Sequence, residues 1–137
     1  MRKDICRDVN ILSTVSIEAT KEDINVATDL LDTLKANSNR CVGMAANMIG
    51  VNKRIICIDD NGEYVVMLNP KVLKVSSESY VTEEGCLSLD GVREVKRYKS
   101  IKVEYTTLEW KKKIKTYEGF SAQIIQHEMD HLEGILI

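Results

Sequence analysis

Proline, phenylalanine and tryptophan occur once each, and histidine twice, in the 137 residues of this chain. There is no Pro-, Ser- or Gly-rich linker, no internal repeat and no low-complexity segment, so a single domain spanning residues 1–137 is expected. That length buries a core but is too short for two substantial lobes, which excludes a large modular enzyme. No apolar run approaches the roughly 20 residues of a bilayer crossing. The basic start Met1-Arg2-Lys3 leads into no uninterrupted apolar stretch. Neither a membrane partner nor a secretion signal is read, and the cytoplasm is the expected location.

Charge of one sign is also lacking. Lys and Arg number 19 against 21 Asp and Glu, a net charge of -2, so the chain offers no electrostatic footprint for direct nucleic-acid binding. The one basic cluster, Lys111-Lys112-Lys113-Ile114-Lys115, reads as a solvated turn and edge strand, because edge strands use Lys to block further pairing. The four cysteines, Cys6, Cys41, Cys57 and Cys86, form no CxxC pair, which argues against a zinc ribbon and a thioredoxin-type motif. In a reducing compartment they stay thiols. Cys6, Cys41 and Cys57 have apolar neighbours and are expected to be small core residues, whereas Cys86, between Gly85 and Leu87, stands apart.

What is present is a helix, a series of strands and a second helix. Thr20 and Asp23 have capping-box spacing, and Ile24, Ala27, Leu31 and Leu34, with Val26 and Leu30 beside them, keep a helical period to about Ala36. From Arg54 the pattern changes to short β-branched runs. Asn61-Gly62 between two of them is a hairpin signal. Further strands are expected at Lys71 to Val75, Val92 to Lys96, Ser100 to Thr107 and Lys112 to Tyr117. Gly119 to Leu132 returns to helical spacing through Phe120, Ile124, Ile125 and Met129. The order predicts an α+β fold, a mostly antiparallel β-sheet packed against two α-helices.

Both histidines fall in His127-Glu128-Met129-Asp130-His131 on the predicted last helix, an HExxH pattern. Positions i and i+4 share a helical face, so the two imidazoles can reach one divalent ion while Glu128 reaches a water beside it. Two surface histidines on an amphipathic helix are the bland alternative. A catalytic metal site needs a third protein ligand. Only six residues follow His131, and Glu133 points off the ligand face, so the ligand is sought upstream. Cys86 is the best candidate, on what reads as a tight, exposed segment. A buried structural thiol is the other reading of Cys86 taken alone.

Glu84-Gly85-Cys86-Leu87-Ser88 and Gln126-His127-Glu128-Met129-Asp130-His131-Leu132 resemble two signature motifs of peptide deformylases, EGCLS and QHExDHL. The third, GxGxAAxQ, is partly present as Cys41-Val42-Gly43-Met44-Ala45-Ala46-Asn47-Met48. The resemblance implies a metallohydrolase that removes the formyl group from the N-terminal formyl-methionine of nascent polypeptides. Its partners would be such chains and, transiently, the ribosome. It implies one divalent metal ion held by Cys86, His127 and His131, ferrous iron in cells, with zinc or nickel also accommodated. Glu128 becomes general base and then acid, and the backbone N–H of Leu87 faces the developing oxyanion, with Gly43 beside them. An extended peptide would lie along Gly43, Glu84 and Gly85, with its methionine side chain against Phe120 and Ile124 and with Val42 or Met44 opposite. Glu84 is expected to pair with Arg93 or Arg97.

Two positions depart from the pattern. Met48 stands where the family has a Gln that donates to the oxyanion, and a thioether has no hydrogen to give. Asn47 could supply an amide only by turning inward. Cys41 replaces the motif's first Gly. A homologue that binds metal and formylated peptide without turnover, or with very slow turnover, is therefore the alternative reading, and a general peptidase a more distant third.

Overall fold

The first helix is entered through the capping box expected of Thr20 and Asp23. In a computed structural model describing residues Met1–Ile137, the Thr20 N–H donates to Asp23 Oδ2 at 2.8 Å and the Thr20 hydroxyl receives the Glu22 N–H at 3.3 Å. A single 3-10 turn, Lys21–Asp23, then leads into an α-helix, Ile24–Ala36. A four-residue helix, α1 (Val9–Leu12), which was not expected from the sequence, precedes it, so Ile24–Ala36 is α2. The inward stripe of α2 is Ala27, Leu30 and Leu34, with Leu31 only half-buried, a rotation of the stripe expected from spacing.

Seven strands follow: β1 (Gly43–Ala45), β2 (Ile55–Asp60), β3 (Glu63–Val75), β4 (Ser79–Cys86), β5 (Leu89–Tyr98), β6 (Ser100–Thr106) and β7 (Lys112–Glu118). The last helix, α3, is Gly119–Leu132. Five strands form an antiparallel sheet in the order β1-β2-β3-β6-β7, and β4 and β5 form a separate hairpin. The expected α+β class is the one observed, with the lysine cluster on the outer strand β7.

Strand β2 is a continuous apolar run because both of its faces are covered. Ile56 and Ile58 join the core beneath α3, with Met67, Val103 and Ile125. Ile55 and Cys57 face the other way, into the core beneath α2, with Leu30, Leu34, Met44 and Met48. The turn from β2 to β3 has two residues, Asn61 (φ 53) and Gly62 (φ 96), both left-handed as a twist-matched hairpin requires.

Two strand expectations are corrected. The runs on either side of Pro70 are one strand, with a bulge in it: Leu68 pairs with Thr106 and Lys71 with Glu104, so β3 carries one residue more than β6 across that interval. Pro70, which has no N–H for a ladder, sits in the bulge beside Asn69 (φ 52), whose side chain bonds both N–H and C=O of Ala19. Residues 85–86, expected on a tight, exposed segment, close a strand, β4; Gly85 pairs with Val92 and Cys86 with Leu89. The hairpin escaped notice because Val81 and Glu83 of β4 and Val92 and Glu94 of β5 are exposed, so no alternating apolar face marks it. Among the cysteines expected in the core, Cys57 is fully buried and Cys6 and Cys41 are half-buried. No helix is long and apolar enough to cross a membrane.

Coverage of both faces makes a direct prediction. Ile55→Ala and Ile56→Ala, on opposite faces of β2, should each cost about 2–5 kcal/mol in urea unfolding. A near-neutral value for either would mean that its face is open to solvent.

Candidate metal centre and active site

Helix α3 places His127 and His131 on one face, four residues apart, with their rings edge-on at 79° and their Nε2 atoms 3.0 Å apart. Cys86 arrives from the end of β4. Its sulfur and the two imidazoles offer ligand atoms that all lie within 4.8 Å of one another.

The orientation of His127 is fixed from behind. Glu84, on β4 and 9% exposed, accepts a hydrogen bond from His127 Nδ1 at 2.7 Å, which leaves Nε2 facing Cys86 and His131. Arg97 on β5 forks onto the same carboxylate, with Nη2 at 2.6 Å and Nε at 3.0 Å, and Gln123 Nε2 adds a third donor at 2.8 Å. Arg97 in turn reaches Asp130 of α3 at 2.7 Å. Arg97 is thus the partner of Glu84, while Arg93, opposite Glu84 in the strand register, turns to the Asp90 carbonyl.

Burial acts against the charge on Glu84, but the hydrogen bonds from His127, Arg97 and Gln123 outweigh it and hold the carboxyl down at about 2. His127 is desolvated as well, yet the Cys86 sulfur and Glu84 push it up to about 10. Burial, followed by the charge on His127, lowers His131 to about 3. Burial raises Glu128 to about 7.

These groups fit a divalent cation. Two neutral imidazoles with Nε2 atoms 3.0 Å apart oppose lone pairs unless a proton or an ion lies between them. Two imidazoles and one thiol are the donors a borderline ion such as zinc or ferrous iron takes. Glu128, 4% exposed, points Oε1 towards the same place without a hydrogen-bond partner, 4.0 Å from His131 Nε2. The close approach of β1 to α3 depends on Gly43, where an added Cβ would lie 2.5 Å from Ile124 Cγ2 and 2.9 Å from Glu128 Oε2.

A cavity of about 480 Å³ opens onto this cluster. Gly43, Glu84, Gly85, Cys86, Leu87, Phe120, Gln123, Ile124, His127 and Glu128 are among its lining residues, whereas His131, 1% exposed, is not. Phe120 is 61% exposed at the rim. Of the two candidates for the opposite wall, Val42 lines the cavity, whereas Met44 is fully buried beneath α2.

The residues that depart from the motif are also placed. Met48 is 1% exposed, packed into the α2 core and bordering the cavity. Asn47 does not turn its amide to the cavity; Nδ2 donates to the carbonyl of His131 at 2.9 Å. The Cys41 thiol donates to the Gly43 carbonyl at 2.9 Å, and burial pushes its pKa up to about 12. Sequence reading missed Gln123 and Asp130 as parts of the site, although at four before and three after His127 they share its helical face.

The sequence pattern of polypeptide deformylases matches residues 3–137. This chain belongs to the polypeptide deformylase family. It is 53% identical over 137 residues to the peptide deformylase of Clostridium beijerinckii, covering 100% of both chains. The Met-Ala-Ser-bound class I type b peptide deformylase of Acinetobacter baumannii superposes with a TM-score of 0.88 at 31% identity, covering 99% of this chain and 97% of that one. Its actinonin-bound form gives 0.88 at 33% identity, covering 99% and 95%. The α+β fold is therefore that of deformylases, and the chain is a metal-dependent hydrolase of that family.

If Glu84 orients His127, Glu84→Gln should weaken divalent-ion binding about 10- to 100-fold. Competition with a chromophoric chelator measures this, and unchanged affinity would leave Glu84 with a packing role only.

Proposed function

We propose that this chain removes the formyl group from the N-terminal formyl-methionine of nascent polypeptides. It works as one domain in the cytoplasm, with a divalent ion held by Cys86, His127 and His131. The reading is carried by one observation: the ligand atoms of Cys86, His127 and His131 cluster within 4.8 Å of one another beside the unpartnered Glu128 Oε1, and Cys86, His127 and Glu128 line one cavity. Ferrous iron is the ion proposed in cells. Zinc and nickel suit the same donors.

When bound, the ion supplies Lewis-acid polarisation of the formyl carbonyl and lowers the pKa of water beside it. The protein's own groups do the rest. Glu128 takes a proton from the attacking water as its oxygen bonds to the formyl carbon. It then delivers that proton to the amine nitrogen as the C–N bond breaks, leaving formate and a free N-terminus. Negative charge developing on the formyl oxygen is met by the Leu87 N–H. The peptide backbone runs between the edge of β1 at Gly43 and the Glu84-Gly85 segment of β4, so pairing there reads little of its sequence. Specificity for methionine comes from the apolar wall of Phe120, Ile124 and Val42.

A slow or purely binding homologue is the second reading, favoured by Met48 and by the engagement of Asn47 with His131. Formate release from formyl-Met-Ala-Ser by iron-loaded protein separates the two. Turnover that falls to background in Glu128→Ala is the expected result, with Met48→Gln faster by up to about 10²- to 10³-fold, the usual worth of one oxyanion donor. A parent that binds iron yet releases no formate, beside an active Met48→Gln variant, would establish the binding role instead.

A further inference from the structure

The segment before α1 reaches across the molecule to both sides of the oxyanion wall. Ile5 packs against the α2 core, and the Lys3 N–H donates to Thr33 Oγ1 of α2 at 2.9 Å, so the segment is anchored. The next two residues then take hold of positions 48 and 87. The Cys6 N–H donates to the Met48 carbonyl at 2.7 Å. Arg7 donates from Nη1 to the Leu87 carbonyl at 3.0 Å and from Nη2 to Asp90 Oδ1 at 2.8 Å. Leu87 and Ser88 form the turn between β4 and β5, directly after Cys86.

We propose that Arg7 is a positioning residue for deformylation, holding the Leu87 turn so that the Leu87 N–H keeps its aim at the formyl oxygen. The proposal rests on the reading of Leu87 as the oxyanion donor. It acquires weight from Met48, because with no side-chain amide at position 48 the Leu87 N–H is the one protein donor that reading assigns to the oxyanion. Guanidinium geometry suits this role, since one planar fork grips a backbone carbonyl and, three residues on, a carboxylate, which fixes the turn at both ends. The Arg7 side chain is 53% exposed and that of Asp90 97%, and ion pairs so open to water add little to stability. The effect of Arg7 therefore lies in placement, to which rate is far more sensitive than folding.

The test is Arg7→Ala and Arg7→Lys, read by formate release, iron stoichiometry, thermal unfolding and amide hydrogen exchange over residues 87–90. Arg7→Ala is expected to lower kcat about 10- to 100-fold, with KM, bound iron and melting temperature unchanged and exchange over residues 87–90 faster. Arg7→Lys, which keeps a cation but loses the fork, should recover only part of kcat. Wild-type kcat in Arg7→Ala overturns the proposal, as does a loss of kcat that merely follows loss of iron or of melting temperature. If the unmodified protein releases no formate, the reading of the chain as a working deformylase fails, and the catalytic role of Arg7 is overturned with it. Exchange over residues 87–90 tells the two failures apart: unchanged exchange in an active enzyme sinks the role of Arg7 alone.

Discussion

The buried carboxylate of Glu84 is the constraint from which the rest of the site is built. A charge so deeply placed is tolerated only with partners, and Glu84 draws them from two elements: Arg97 from β5, and His127 and Gln123 from α3. That matters because the β4–β5 hairpin shares no ladder with the five-stranded sheet. Its attachment to α3 is made by this knot, by Arg97 to Asp130, and by the paired bonds between Gln126 and the backbone of Tyr98 at 2.8 Å each. Cys86 ends β4 and the two histidines ride on α3. The geometry of the Cys86, His127 and His131 cluster is thus the geometry of a polar joint between two separately built pieces.

The second requirement is that α3 lie close to the sheet edge without a side chain between them. Ile125 and Leu132 bind one flank of the helix to Ile56, Ile58 and Val103, and Gly43 lets the edge strand approach Ile124 and Glu128. The same close packing desolvates Glu128. One arrangement therefore closes the core and leaves a buried carboxylate oxygen unpartnered beside His131. An uncompensated polar atom of this kind is costly to folding, and such costs gather where chemistry is done.

Much of this was legible in the chain, and the exceptions have physical causes. Helix α3 could be read to its end residues because its apolar period and its histidine spacing agree, and the β2–β3 hairpin because Asn61-Gly62 admits only one kind of turn. The clustering of Cys86, His127 and His131 could be anticipated because each of the two motifs that carry them is local. Strand β4 was not, since a hairpin held by a buried ion pair and wet on its outer face carries no alternation to detect. The stripe of α2 was misjudged at Leu31, where several neighbouring leucines satisfy the same period and only the sheet decides which is covered. The link from Arg7 to Leu87 spans 80 residues and leaves no local signal at all.

The side chains at positions 47 and 48, which depart from the family's motif, are both engaged by the fold. Met48 is 1% exposed among Leu30, Leu34 and Ile55, where an unbranched thioether fills space without asking for a hydrogen-bond partner. A glutamine there would desolvate an amide in the absence of substrate, a cost recovered only when a polar group arrives to bond it. Asn47, one residue earlier, carries an amide, and its Nδ2 is committed to the His131 carbonyl in the last turn of α3. The bond ties the segment of residues 41–48 to α3, so the amide supports the position of His131. The amide at position 47 thus serves the frame of α3 and the thioether at position 48 the core beneath α2, so neither side chain is free to reach into the cavity as a donor.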